Sequence, residues 1–309
     1  MNFPHSPVML RSAIKGLNIV HGGTYVDCTF GRGGHSENIL KSLGNDGKLI
    51  AIDKDKDAED YAKNNFIKDK RFIFEKNNFS NIVNIVEKHT KTNKVDGILL
   101  DLGVSSPQLD DASRGFSFMK EGPIDMRMDR ATHMTALLWL QEATIEEISK
   151  VLKKYGEEKY SFRIAKAIKI AIEDNNLKTT LDLSKIISDC YPKKESIKKN
   201  PATKSFQAIR IFINKELQEL EKILDDCLKV ISIKGRLVVI SFHSLEDRIV
   251  KNFINKYSSG KNIIRKLPIT NINQNILLKK IKIPLKATEE EIQENIRSRS
   301  ARLRVAERI

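Results

Sequence analysis

The sequence predicts an α/β fold built on a parallel β-sheet. Three apolar segments, residues 25–28, 49–52 and 95–100, are each bounded by turn residues. Short apolar runs of this kind are typical of parallel strands buried on both faces of a sheet. A helical repeat of apolar residues and another apolar strand follow residue 205, so the pattern resumes late in the chain. With 309 residues and 40% hydrophobic content, the chain is long enough to bury a sizeable core.

A glycine-rich turn, GRGGHS at residues 31–36, follows the first predicted strand. Glycines at this point let the backbone approach a nucleotide-like ligand, but the third glycine of G-x-G-x-x-G is absent and a plain turn is the alternative. Asp53 directly follows the second predicted strand. A carboxylate about 20 residues after the glycines can accept hydrogen bonds from both ribose hydroxyls, whereas the alternative is a helix cap. Together the two features predict a nucleoside cofactor.

The third predicted strand is followed by Asp101 and then by the segment GVSSPQ at residues 103–108. Its polar groups should face the cofactor, because parallel strands end at one edge of a sheet. Amino-group methyltransferases place a short Asp/Asn/Ser-Pro-Pro-aromatic segment here, and its acceptors bind the substrate amine. The segment is similar to that one in position and partly in letters. Ser106 as a helix N-cap with Pro107 at the first helical position is the other interpretation, and both can hold together.

A family resemblance extends over nearly the whole chain, from His5 to Arg308. It is carried by seven ordered motifs, at residues 29–36, 97–111, 114–118, 125–129, 155–158, 200–211 and 241–248. These motifs resemble the MraW/RsmH family of S-adenosylmethionine-dependent methyltransferases. The resemblance implies methyl transfer to N4 of one cytidine in the decoding region of bacterial small-subunit (16S) ribosomal RNA.

The resemblance also implies an architecture and a set of site residues. We expect a Rossmann-like class I methyltransferase sheet, at residues 1–110 and 206–309, with an all-helical domain inserted at residues 111–205. One helix should run from Phe206 to Ile231, before a strand at residues 236–241. By resemblance, the cofactor site consists of Gly33, Gly34, His35, Asp53, Phe79, Asp101 and Gln108. The two glycines would open space for the ligand, and Phe79 would pack on the adenine face.

The chemistry of the reaction selects the candidate catalytic residues. Cytosine N4 is a poor nucleophile because its lone pair is delocalised into the ring, so acceptors must bind its N–H groups as the nitrogen pyramidalises. Asp101, Ser105, Ser106 and nearby carbonyl oxygens are the candidates for this role. No metal ion is expected.

The charge of the chain favours a polyanionic partner. Lys and Arg number 54 against 40 acidic residues, which gives a formal charge of +14. Residues 150–204 hold +7 of it, and there Arg163, Lys166 and Lys169 recur at helical spacing beside an apolar stripe of Phe162, Ala165 and Ile168. A solvated helix face is the default interpretation, but the position of the segment favours a helical insert that holds RNA. His243 follows the last strand, where it would line the rim of the substrate pocket.

Composition limits the remaining classes. No apolar run approaches ~18 residues and the N-terminus lacks a signal-peptide core, so we expect a cytoplasmic protein with no membrane partner. The three cysteines are far apart and odd in number, which argues against a disulfide framework and a Cys-rich zinc site. The expected partner is small-subunit ribosomal RNA in an assembled or nearly assembled 30S particle, and a homodimer is allowed. The alternatives are an N6-adenine methyltransferase, an NAD-dependent oxidoreductase and a non-catalytic RNA-binding module.

Overall fold

A computed structural model describes residues 7–192, 200–259, 276–283 and 285–309. His5, in the N-terminal motif, lies outside the described residues. The chain divides into a sheet unit, residues 1–103 with 217–309, and a helical unit, residues 104–216. The helical unit therefore begins before and ends after the predicted insert at residues 111–205.

The sheet unit contains seven strands among its described residues, and they form one sheet. The strands are β1 (Thr24–Asp27), β2 (Lys48–Asp53), β3 (Phe72–Lys76), β4 (Val95–Asp101), β5 (Ile231–Ser241), β6 (Leu278–Ile281) and β7 (Arg302–Arg308). The helices are α1 (Leu10–Leu17), α2 (Gly34–Ser42), α3 (Lys56–Asn65), α4 (Ile82–His89), α11 (Glu216–Val230), α12 (Ser244–Ser259) and α13 (Glu289–Glu294). Short 3₁₀ turns occupy Phe79–Asn81 and Ile296–Ser300.

The strand order is β3-β2-β1-β4-β5-β7-β6. Strands β1 to β5 are parallel to one another, and β7 is antiparallel to both β5 and β6. The chain first adds β2 and β3 on one side of β1 and then places β4 on the other side of β1. Open α/β sheets bind ligands outside the carboxyl ends of the strands at such a switch point. The predicted parallel strands are confirmed.

Both faces of the sheet are buried, which explains the continuous apolar runs in the sequence. Ile50, Ile52, Ile98 and Leu100 pack on one face with helices α4, α11 and α12. The residues between them, Ala51 and Leu99, pack on the other face with α1, α2 and α3. Successive side chains of a strand point to opposite faces, so burial on both sides needs an apolar residue at every position.

The turn between β1 and α2 depends on close packing by two glycines. Gly33 has φ +71°, and a Cβ at this residue would lie 2.6 Å from Phe66 Cζ. A Cβ on Gly34 would lie 2.4 Å from Pro7 Cγ. Protein side chains therefore fill the space beside these glycines, which the sequence analysis assigned to the ligand. Gly33 is also the N-cap of α2 and has a positive φ, a backbone conformation that glycine adopts more easily than other residues.

The helical unit consists of six helices among its described residues. They are α5 (Ser106–Asp110), α6 (Ala136–Glu142), α7 (Ile145–Gly156), α8 (Ser161–Glu173), α9 (Thr180–Asp189) and α10 (Ala202–Ile213), with a 3₁₀ turn at Ala112–Arg114. Neither here nor elsewhere in the described chain is a helix long and apolar enough to cross a membrane.

The single helix predicted from Phe206 to Ile231 is wrong, because two helices occupy this stretch. Helix α10 ends at Ile213, α11 begins at Glu216, and Lys215 between them has φ +52°. Apolar residues recur on both sides of the break between α10 and α11, because each helix has its own buried face. The periodicity of the sequence therefore does not reveal the break. Strand β5 also begins earlier than predicted, at Ile231 rather than at Arg236.

Several motifs of the helical unit hold that unit together. A Cβ on Gly156 would lie 2.6 Å from the Lys204 carbonyl oxygen, so glycine permits the close approach of α7 to α10. Asn214 Nδ2 donates to the Met126 carbonyl oxygen at 2.7 Å, and the Met128 N–H donates to Asn214 Oδ1 at 2.7 Å. These two bonds attach the motif at residues 125–129 to the end of α10.

We predict that Gly33→Ala lowers the free energy of unfolding by about 1–3 kcal/mol, because the added methyl group overpacks the contact with Phe66 and strains a left-handed backbone. Gly22→Ala is the matched control, since a Cβ at Gly22 meets nothing within 4 Å. Urea denaturation of both variants measures the difference. Equal effects of the two substitutions would contradict the packing role of Gly33.

Candidate active site

Four acidic residues lie at the carboxyl edge of the sheet. Asp27, Asp53 and Asp101 are the last residues of β1, β2 and β4, and Glu246 lies in the first turn of α12 after β5. Burial is the largest cause of the raised pKa of Asp53 and of Asp101, but their neighbours also contribute, since the charge of Asp27 raises both values and that of Glu246 raises the pKa of Asp101. An edge of this charge favours a cationic ligand. No group of three or more His, Cys, Asp or Glu in the described ranges could hold a metal ion.

Asp53 has acceptor capacity beyond its two hydrogen bonds within the protein. Its Oδ2 accepts from the Gly31 N–H at 2.8 Å, and its Oδ1 accepts from the Asp55 N–H at 2.9 Å. Burial raises the pKa of Asp53 to about 6. A carboxylate has about four lone-pair sites, so each oxygen can accept a further bond from one of two neighbouring hydroxyls. The capping alternative is wrong, because Asp55 is the N-cap of α3.

Asp27 accepts hydrogen bonds from the glycine-rich loop, a role that was not predicted from the sequence. Ser36 Oγ–H donates to Asp27 Oδ2 at 2.7 Å, and the Thr29 N–H donates to Oδ1 at 3.1 Å. The side chain is 1% exposed, and burial raises its pKa. The sequence contained a signal for Asp27, because it lies at the end of a predicted strand, and Asp53 and Asp101 were selected for the same position.

His35 and Asp101 face each other at the base of the same loop. His35 Nε2 lies 3.1 Å from the Val8 carbonyl oxygen, which requires the tautomer that donates from Nε2. Burial lowers the pKa of His35 to about 4, so the ring is neutral at pH 7. Its Nδ1 then carries no proton, and it lies 3.7 Å from Asp101 Oδ2.

Asp101 has an unused acceptor. Its backbone N–H donates to Thr29 Oγ1 at 2.7 Å, but its buried Oδ1 has no hydrogen-bond partner among the described residues. Burial, with the charges of Asp27 and Glu246, raises its pKa well above the usual range. A buried carboxyl oxygen without a donor costs free energy, and a cationic donor from a ligand would relieve that cost.

Phe79 follows β3 and begins the 3₁₀ turn Phe79–Asn81. It is half-buried and packs against the core on the α4 side of the sheet. Asn78 caps the turn by accepting from the Ser80 N–H at 2.9 Å. A ring held at the carboxyl side of β3, with part of its surface exposed, can pack against a flat base.

The segment after Asp101 enters the helical unit through a capping box. The Ser105 N–H donates to Gln108 Oε1 at 2.9 Å, and the Gln108 N–H lies 3.4 Å from Ser105 Oγ. The N-cap of α5 is therefore Ser105, and the predicted N-cap Ser106 is instead the first helical residue. The side-chain oxygens of Ser105 and Gln108 accept the hydrogen bonds that cap α5. Sequence spacing alone did not distinguish this capping role from a role in binding.

His243 follows β5, as expected, but its ring contacts the start of α12. His243 Nε2 lies 3.0 Å from Glu246 Oε1, and the Glu246 N–H lies 3.4 Å from Nδ1. Glu246 Oε2 also accepts from the Phe242 N–H at 2.8 Å. The ring and the carboxylate thus close the first turn of α12.

The basic stripe of α8 is narrower than predicted. Arg163 and Lys166 are exposed, but Lys169 Nζ donates to the Gln141 carbonyl oxygen at 2.8 Å, near the end of α6. Phe162 is 57% exposed and does not belong to the buried apolar stripe. The exposed surface therefore combines two cationic side chains with an aromatic ring.

Comparisons with known proteins identify close relatives. The sequence model of the MraW methylase family matches residues 2–309. The ribosomal RNA small subunit methyltransferase H of Hydrogenovibrio crunogenus is 50% identical over 305 residues, which cover 99% of this chain and 96% of that protein. The protein of the same name from Hamiltonella defensa is 49% identical over 308 residues, which cover 99% of this chain and 98% of that protein. Among solved structures, an rRNA methylase from Streptococcus thermophilus aligns with a TM-score of 0.43 and 8% identity, covering 97% of this chain and 95% of that one.

The family is decided by the extent of these matches. The family model spans nearly every residue, and both relatives are about half identical over almost their full lengths. The strand order reverses between β1 and β4, an arrangement with which open α/β sheets bind ligands at the carboxyl edge. This chain belongs to the MraW methylase family and is a methyltransferase that uses S-adenosylmethionine.

Proposed function

We propose that this protein transfers a methyl group from S-adenosylmethionine to N4 of a cytidine in small-subunit ribosomal RNA. The two relatives carry names that specify small-subunit ribosomal RNA methylation. The observation that carries the proposal is the acidic sheet edge, where Asp53 can accept two further bonds and Asp101 Oδ1 has no donor among the described residues. A ligand with a sulfonium and an ammonium group matches this edge in charge.

We assign the cofactor site to the residues that the family resemblance implied, several of which lie at this edge. Asp53 would accept from the ribose hydroxyls, Phe79 would pack on adenine, and Asp101 would accept from the amino-acid end. His35, Gly33, Gly34 and Gln108 complete the set, with the glycines shaping the loop rather than opening it. S-adenosylmethionine supplies an electrophilic methyl group on sulfur.

The protein must bind the nucleophile in line with that methyl group and accept its proton. As the N4–methyl bond forms and the methyl–sulfur bond breaks, N4 becomes cationic and loses one proton. We propose that Asp101, Ser105, Ser106 and nearby carbonyl oxygens accept from the N4 hydrogens during this change. The proton can pass to any nearby acceptor.

The helical unit offers a surface for RNA. Arg163 and Lys166 are exposed on α8 and can contact phosphates, and exposed Phe162 can stack on an unpaired base. His243 is retained as a candidate at the rim of the substrate pocket, on the strength of its place after β5. The target base must leave its stack to reach the cofactor, which is easiest in single-stranded RNA.

The cellular context rests on the family resemblance. We propose action in the cytoplasm on an assembled or nearly assembled 30S particle, with a homodimer as the candidate assembly. An N6-adenine target remains the competing substrate, because an adenine amino group would need the same acceptors.

The substrate is tested by methylating small-subunit RNA from cells that lack this gene. We expect the purified protein to transfer one radiolabelled methyl group per RNA from S-adenosylmethionine, and nucleoside analysis by mass spectrometry to place it on cytidine N4. RNA from cells that carry the gene is the control and should accept none at that position. Recovery of N6-methyladenosine would replace the proposed substrate with the competing one.

The role of Asp53 predicts a pH dependence. Its ionised form accepts from the ribose, so affinity for uncharged 5′-methylthioadenosine should fall about tenfold from pH 7 to pH 5, across a pKa of about 6. Asp53→Asn should bind weakly at both pH values, because the loss of charge-assisted bonds costs about 1.5–3 kcal/mol, or roughly 10- to 150-fold. Calorimetry measures both. A pH dependence that persists in Asp53→Asn would assign the titration to another group.

The RNA surface predicts a change in salt dependence. The double variant Arg163→Gln with Lys166→Gln should lower the slope of log affinity against log salt by about 0.7–0.9 for each phosphate that is no longer neutralised. The control is Lys68→Gln with Lys70→Gln, which removes the same charge from exposed residues on the amino side of β3. RNA affinity is measured across a salt series, and S-adenosylmethionine affinity should stay constant. Parallel lines for wild type and the α8 variant would mean that this helix face is only solvated.

A further inference from the structure

Glu219, on α11, bonds two residues that border the proposed cofactor site. Lys54 Nζ donates to Glu219 Oε2 at 3.1 Å, and Asn78 Nδ2 donates to Glu219 Oε1 at 2.5 Å. The Lys54 and Glu219 side chains are only 17% and 18% exposed. Each oxygen of the carboxylate therefore has its own donor in a largely desolvated place.

The two donors are the chain neighbours of the residues assigned to the adenosine. Lys54 directly follows Asp53, and Asn78 directly precedes Phe79. Asn78 also holds the turn that carries Phe79, because its Oδ1 accepts from the Ser80 N–H. Backbone bonds already join the two segments, because β2 pairs with β3 up to Asp53 and Lys76, and the Asn77 N–H donates to the Asp53 carbonyl oxygen at 3.0 Å. Glu219 adds a side-chain connection one residue beyond that last backbone bond, between Lys54 and Asn78.

We propose that Glu219 is a positioning residue for the adenosine half of S-adenosylmethionine, which rests on the proposed roles of Asp53 and Phe79. By bonding both Lys54 and Asn78, it restricts the movement of the turn that carries Phe79 relative to Asp53, beyond the restraint that the backbone bonds give, before the ligand arrives. Preorganisation of this kind raises affinity because less ordering remains to be done on binding. Glu219 itself touches neither half of the ligand in this scheme.

Loss of Glu219 should weaken the binding of every ligand that contains adenosine. In Glu219→Ala, the Lys54 ammonium group loses its counter-charge and the Asn78 amide loses its acceptor, so both segments can relax. The affinities for S-adenosylmethionine and for 5′-methylthioadenosine should fall by the same factor, about 5- to 30-fold. The single-turnover rate of methyl transfer at saturating S-adenosylmethionine should stay near that of the wild type. Glu219→Gln keeps one acceptor for two donors and should lie between Glu219→Ala and the wild type.

The experiment is calorimetry with both ligands, paired with single-turnover assays on small-subunit RNA. Asp69→Ala is the matched control, because Asp69 is a half-buried carboxylate paired with Arg71 at 2.6 Å, before the amino end of β3. It should leave both affinities unchanged. Lys54→Met, which keeps the aliphatic stem, is the second route to the same result if Glu219→Ala does not fold, and it should weaken both ligands in equal measure.

The outcomes separate this inference from the site on which it rests. Unchanged affinity in folded Glu219→Ala, a loss for S-adenosylmethionine alone, or an equal loss in Asp69→Ala overturns the positioning role. Asp53→Ala and Phe79→Ala are measured in parallel. If these two bind both ligands normally, the proposed adenosine site fails and the role of Glu219 fails with it. If they weaken binding and Glu219→Ala does not, the site stands and only the positioning role is wrong.

Discussion

The parallel register of β1, β2 and β4 is the constraint on which the site depends. Backbone bonds align these strands so that Asp27, Asp53 and Asp101 end at the same edge, although they lie far apart in sequence. Hydrophobic burial on both faces fixes that register, because a slip of one residue would exchange the two sets of side chains that the two helical layers cover. The site is therefore a consequence of core packing.

The concentration of carboxylates has an energetic cost that a cationic ligand would offset at the proposed site. Burial raises the pKa values of Asp27, Asp53 and Asp101, and neighbouring carboxylates raise those of Asp53 and Asp101 further. A raised carboxyl pKa means that the folded state binds more protons than the unfolded state between the two pKa values. For Asp53 this window runs from 3.8 to about 6, and its contribution to stability falls as the pH rises through the window. Binding of a sulfonium and an ammonium group favours the ionised forms and acts in the opposite direction.

In the helical unit, residues that lie in motifs or at regular helical spacing have structural roles. Gly156 permits a close helix contact, Asn214 bonds the loop at residues 125–129, and Lys169 donates to carbonyl oxygens near the end of α6. Lys169 was predicted to share a basic stripe with Arg163 and Lys166 because the three recur at helical spacing. Spacing gives the face of a helix but not the neighbouring elements that occupy part of it.

The amino-acid sequence by itself determined the α/β class, the buried parallel strands and the positions of Asp53 and Asp101, because these follow from local periodicity and from the rule that strand ends share an edge. The motif resemblance supplied the family and its cofactor. Only the tertiary structure decided that Asp27 holds the loop, that protein side chains fill the space beside Gly33 and Gly34, and that Glu219 bonds Lys54 and Asn78. These facts depend on contacts between residues that are distant in sequence or on exact interatomic distances. Composition, periodicity and motif spacing carry no information about either, because they describe each segment without its neighbours in space.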